Sequence, residues 1–210
     1  MPGALSAEAL ELDHAAYAPA RAGTFARLVP LRRERRLRVG DLLVAEFESA
    51  ETLQIQVQEM VFTERLTDPA EIAHEIDAYS RMLPTSHELC ATLFLELTDA
   101  RDVRTALAEV AGIQHALSLQ IGTGGTADDP RGGGVRVPGV ELRGLDEEPD
   151  APTETVTVHV VRFRLTDAQR DAFRDPAVPV QLAVDHPAYA ETTPISGDTR
   201  RALITDLALR

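Results

Sequence analysis

The sequence predicts an α+β fold, with helices packed on a mixed or mainly antiparallel sheet, from three features. Short segments with apolar residues at every second position recur along the chain. Segments with apolar residues at helical spacing fall loosely between them, and glycine-rich turns separate several of the short strands. At 210 residues the chain suits one compact domain. Residues 1–121 form an N-terminal portion and 153–210 a C-terminal portion that folds with it. Residues 122–152 form a flexible glycine-rich and acidic connector.

The elements follow in order. Residues 12–22 (LDHAAYAPARA) form a short helix ended by Pro19 or Gly23. A basic strip follows, with Arg27, Arg32, Arg33, Arg35, Arg36 and Arg38 opposed only by Glu34. Residues 41–48 (DLLVAEFE) read as a strand. In 50–66, Leu53, Val57, Met60 and Val61 recur at helical spacing and outweigh the Leu53-Ile55-Val57 alternation. The helix over 68–83 is the best signalled: Asp68 as N-cap, Pro69 at its first position, and Glu71 in a capping-box-like Asp-x-x-Glu. Its Ile72, Ile76, Tyr79 and Leu83 share one face, and Pro84 follows.

Residues 87–97 read as a strand, with Leu89, Ala91, Leu93, Leu95 and Leu97 on one face and Glu88, Cys90, Thr92, Phe94 and Glu96 on the other. A helix over 99–111 stops at Gly112, and 113–121 is the next strand. The segment 122–134 holds six of the 13 glycines and reads as a flexible loop. A strand over 135–143, the acidic connector 146–152, and strands 155–165 and 178–184 come next. Between the last two lies a helix with Thr166 and Gln169 as capping box. DHPAY (185–189) is a turn in which Asp185 caps local N–H groups and Pro187 fixes the bend. Residues 198–209 close the chain as an amphipathic helix.

Composition excludes several chemistries. There is no Lys, so Schiff-base chemistry and lysine-dependent phosphate loops are absent. The single Cys90 allows no internal disulfide, cysteine zinc knot or cysteine-held iron–sulfur cluster within one chain. A net charge of −13 opposes nucleic-acid binding. With no signal peptide and no apolar run long enough for a membrane span, a cytoplasmic protein is expected.

The candidate site is a polar cluster of Arg33, Arg36, Glu59, Glu64, Glu75, Tyr79, Glu88, Asp185 and His186. In one reading the arginines pair with carboxylates of the helices that follow, since guanidinium and carboxylate pair bidentately. In the other, Glu71, His74 and Glu75, which fall in one helical sector, hold a divalent iron, manganese or zinc ion. The full motif needs two such helices and two further Glu donors, and no cofactor is predicted under the first reading. The glycine-rich loop lacks the Lys and the spacing of a phosphate cradle.

Tyr17 and Arg21, the stretch from Arg36 to Gly40, Phe47-Glu48, LQIQVQEM with Glu64, EIDAYSRMLP, ELCATLFLE and DHPAY…RALITDL occur in an order that resembles a bacterial family, the Domain of Unknown Function 3501 family. The pattern covers nearly the whole chain apart from 122–152. This chain departs from it at Ser80, where Asn is familiar, and in using only Arg in the basic stretch. The resemblance implies a cytoplasmic binding or accessory protein in a redox or stress context, with a redox or iron–sulfur protein as partner.

Overall fold

The computed structural model describes residues 4–96, 103–122, 134–142 and 156–208. Its strands are β1 (Arg36–Val39), β2 (Leu43–Phe47), β3 (Glu88–Leu95), β4 (Leu117–Ile121), β5 (Val135–Glu141), β6 (Val158–Arg164), β7 (Val180–His186) and β8 (Tyr189–Pro194). They form one sheet in the order β1-β2-β3-β6-β5-β4-β7-β8, and every neighbouring pair is antiparallel. The two edge strands meet, so the sheet is nearly a barrel. The Tyr189 hydroxyl donates to the Val39 carbonyl at 2.6 Å and accepts from the Leu42 N–H at 3.1 Å. Thr193 Oγ1 donates to the Arg38 carbonyl at 2.8 Å. These bonds cover edges that would otherwise be open to pairing with other chains. Gly40 turns the chain at φ +61°, and a Cβ there would collide with the Tyr189 hydroxyl.

The period-two alternation sorts the strands into two faces. Leu43, Ala45, Phe47, Leu89, Ala91, Leu93, Val161 and Phe163 point into the main core, together with Leu119 and Leu182. On the opposite face the register sets Arg36 against Glu46, Glu46 against Thr92, and Cys90 against Arg162. That face is polar, and side chains of the helices over His14–Arg35 and Ala50–Thr63 reach it.

The helices are α1 (His14–Arg35), α2 (Ala50–Thr63), α3 (Pro69–Ser80), α4 (Val103–Glu109), α5 (Asp167–Arg174) and α6 (Gly197–Asp206). The expected short helix over 12–22 is instead the 22-residue α1, which runs through Pro19, Gly23 and Pro30 into the basic strip. Both prolines and the residues four before them, Ala15 and Ala26, are exposed, so solvent can satisfy the carbonyls that lose a partner. Tyr17, Leu28 and Arg35 hold the buried side, and Arg35 joins α1 to α6 through Asp206.

Ser49 caps α2 in a reciprocal box with Thr52, and Asp68 caps α3 by accepting from the Ala70 N–H. Leu5, Leu10, Leu53, Val57, Val61 and Ile72 make a second core between these helices, with Ile76, Tyr79 and Leu83 packed against it. The Thr166–Gln169 box on α5 forms as expected.

Two strands were hidden in the sequence. β1 has four residues inside an arginine run, and β8 is a polar, exposed edge. β4 begins only at Leu117, because Ile113–His115 form a 3-10 turn after Gly112 at φ +86°. In DHPAY, Pro187 and Ala188 form the β7–β8 hairpin turn. The cap there is His186, whose Nδ1 accepts from the Ala188 N–H, while Asp185 pairs with Arg136. Most of the glycine-rich loop and all of the acidic connector lie outside the described residues; β5, between them, is an interior strand.

Candidate functional site

The polar face of the sheet buries a carboxyl group, Glu48, at the junction of β2 and α2. Its N–H donates to the Cys90 carbonyl at 2.8 Å, which ties the junction to β3. Its Oε1 accepts from the Thr92 hydroxyl at 2.6 Å. Its Oε2 accepts from the Thr52 hydroxyl at 2.8 Å and from Gln56 Nε2 at 2.9 Å. Thr52 and Gln56 lie four and eight residues on, so one face of α2 delivers both donors. Burial pushes the Glu48 carboxyl above the usual carboxylate range, although the three donors and the nearby Arg32 pull it down.

Beside it, α1, α2 and α3 line a solvent-open cavity of about 250 Å³. Phe25, Leu28, Ile55 and Met60 give it apolar walls, and Arg32, Gln56, Glu59, Thr63 and Tyr79 are its polar lining. Glu59 is already occupied: it accepts from the Tyr17 hydroxyl at 2.7 Å and pairs with Arg21 at 2.8 Å. Burial first, and then the bond to Glu59, push the Tyr17 phenol up to about 12, so it remains a donor. Arg32 approaches Glu46 with its Nε 3.4 Å from Oε2. Among the described residues its terminal nitrogens, the Tyr79 hydroxyl, and the second N–H of Gln56 have no hydrogen-bond partner. Burial, then Glu75 and Glu48, raise the Tyr79 phenol above its ordinary value.

The predicted cluster therefore divides. Glu59 and Tyr79 line the cavity, and Glu75 lies half-buried close to Tyr79. Arg36 pairs with Glu46 at 2.9 Å and Glu96 at 2.7 Å rather than with a helix carboxylate. Glu88 pairs with Arg164 at 2.7 Å, across the β3–β6 register. Arg33 and Glu64 are exposed. Asp185 and His186 sit at the β7–β8 hairpin, where His186 Nε2 donates to the Ala111 carbonyl at 3.0 Å.

Among the described residues, no group of three or more His, Cys, Asp or Glu side chains is placed to hold a metal ion. Glu71 and His74 are exposed on α3 while Glu75 turns inward, so the one-helix motif gathers no further donors. Cys90 is buried, and its thiol is pushed up to about 12 by burial, which leaves it unreactive.

Sequence reasoning missed Glu48 and the separate part played by Arg32. The signal was present as Glu48, Thr52 and Gln56 at intervals of four, but reading Glu48 as a strand residue and 50–66 as a separate helix concealed it.

Comparison with known proteins places the chain. It belongs to the family described as "Protein of unknown function (DUF3501)", whose profile matches residues 6–207. The crystal structure of a novel protein of unknown function from Burkholderia pseudomallei K96243 is similar, with 29% sequence identity and a TM-score of 0.83. The match covers 98% of this chain and 99% of that one. No curated protein matches the chain. No helix among the described residues is long and apolar enough to cross a membrane.

Proposed function

We propose that this member of the family is a binding protein for a small molecule, held in the cavity between α1, α2 and α3 above Glu48. The observation that carries the reading is the set of unpartnered donors on Arg32, Gln56 and Tyr79 lining one apolar-walled space. Ligand sites are mostly apolar, with a few convergent polar groups that fix orientation. At about 250 Å³ the space suits something smaller than a drug-sized ligand. A larger cleft of about 730 Å³ lies beside His14, Phe62 and Arg65. The cavity holds no activated nucleophile, which favours binding over covalent catalysis.

The test is a thermal-shift screen of small molecules that includes anionic, cationic and neutral compounds. A compound that stabilises the wild type should leave Met60→Trp unchanged, because the larger side chain fills the cavity. A shift that survives in Met60→Trp, or no shift from any compound, would remove the reading.

A further inference from the structure

Resting on that reading, we propose that the ligand is a small monocarboxylate with an apolar body, its carboxylate held by Arg32, Tyr79 and Gln56. The free capacity of the cavity includes one guanidinium and two neutral donors. Arg32 keeps its two terminal nitrogens, Gln56 keeps one N–H, and Tyr79 keeps its hydroxyl. The one carboxylate in the lining, Glu59, already accepts from Tyr17 and Arg21. The charged part of the free capacity is cationic, so an occupant that uses it brings an anionic acceptor, whereas an ammonium would face the Arg32 guanidinium.

Charge narrows the class further. A guanidinium matches a carboxylate in a planar, two-bond geometry. Arg32 is the one cation of the lining whose terminal nitrogens are free, since Arg21, just outside it, is paired with Glu59. Glu46, Glu48 and Glu59 surround the site, so a dianion such as phosphate would face three carboxylates with Arg32, already in contact with Glu46, as its one cation. A single negative charge is the most that Arg32 balances. The high phenol value of Tyr79 keeps its proton in place, so it donates at any neutral pH. Phe25, Leu28, Ile55 and Met60 then cover an alkyl or aryl body.

The experiment is titration calorimetry of the full chain with butyrate, valerate and benzoate, each beside its amide and its amine, and with inorganic phosphate. Carboxylates should bind, and their amides should bind at least about tenfold more weakly, because hydrogen bonds to a charged group exceed those to a neutral one. Arg32→Met and Tyr79→Phe should each weaken carboxylate binding by a similar factor. If Arg32→Met fails to fold, Tyr79→Phe and the carboxylate–amide comparison decide the matter, since Tyr79→Phe removes one oxygen. Preferred binding of amides, amines or phosphate would overturn the carboxylate assignment and leave the cavity reading standing. Carboxylate binding untouched by Tyr79→Phe would also overturn it. No binding by any class, in this titration and in the screen, would overturn both.

Discussion

Replacing Arg35 with Met should destabilise the protein strongly and in a pH-dependent way. Arg35 and Asp206 are both buried, and they form two bonds of 3.1 Å, Nε to Oδ2 and Nη2 to Oδ1. Removing one partner of such a pair leaves a buried charge, at about 3–5 kcal/mol. For a domain of this size that corresponds to a fall of roughly 6–20 °C in melting temperature, at about 2–4 °C per kcal/mol. Burial already raises the Asp206 carboxyl, against the opposing pull of Arg35. Without Arg35 it rises further, and the folded variant holds its proton more tightly than the unfolded chain. The penalty is therefore full at high pH and shrinks as pH falls through the raised value and Asp206 becomes neutral. Urea unfolding at pH 8 and pH 5.5 measures both ends of this range. The double variant Arg35→Met, Asp206→Leu should recover most of the loss, because a buried pair replaced by apolar groups is near neutral. An equal penalty at both pH values, or a double variant no better than the single one, would refute the argument.

Glu48→Gln should flatten the pH dependence of stability. The raised Glu48 carboxyl contributes fully below the ordinary value of 4.5, and its contribution declines as pH rises through the folded value, so wild type should lose ground to the variant between acid and neutral pH. Chemical denaturation across that range reads the difference. Ile72→Ala should cost about 2–5 kcal/mol as a large-to-small change in the second core, whereas exposed Asp77→Ala should stay within about 0.5 kcal/mol; equal costs would undo the assigned face of α3. Tyr189→Phe should cost about 1–3 kcal/mol by leaving the Leu42 N–H and the Val39 carbonyl without the phenol. Faster amide exchange at Leu42 would localise that loss to the meeting of β1 and β8.

Elements with local punctuation were legible in the sequence. Asp68-Pro69 and Thr166-x-x-Gln169 start helices where expected, and the alternation in 88–95 sorts β3 correctly between core and polar face. What failed depended on partners distant in the chain. Pro19 and Gly23 read as stops, yet α1 continues because its buried side is anchored by Glu59 on α2 and Asp206 on α6. The arginine strip was matched to carboxylates of the helices that follow, but Arg36 takes Glu46 because β1–β2 register sets them opposite, a pairing that needs β1 to be known. Glu59 and Tyr79 could be named because each sits beside an apolar helical stripe.

The two buried acids show why one belongs to a site and the other to the scaffold. Asp206 has its charge matched by Arg35 in a two-bond pair. Glu48 has three neutral donors, no cation in direct contact, and a cavity one side chain away at Gln56. For stability alone, a strand end packed under three helices would be better served by an apolar residue, since an ionisable group there must be desolvated. Sequences depart from that local rule mainly where function requires it. Here the departure fixes Gln56. With one N–H committed to Glu48 Oε2, the Gln56 amide is held in orientation, and its second N–H stays free in the cavity lining shared with Tyr79 and Arg32. Glu48→Leu should therefore weaken carboxylate binding by releasing Gln56, without Glu48 itself touching the ligand. The Arg35→Met, Asp206→Leu double variant should leave that binding unchanged. If the double variant loses binding as much as Glu48→Leu does, the two acids are not separable and Glu48 is part of the scaffold.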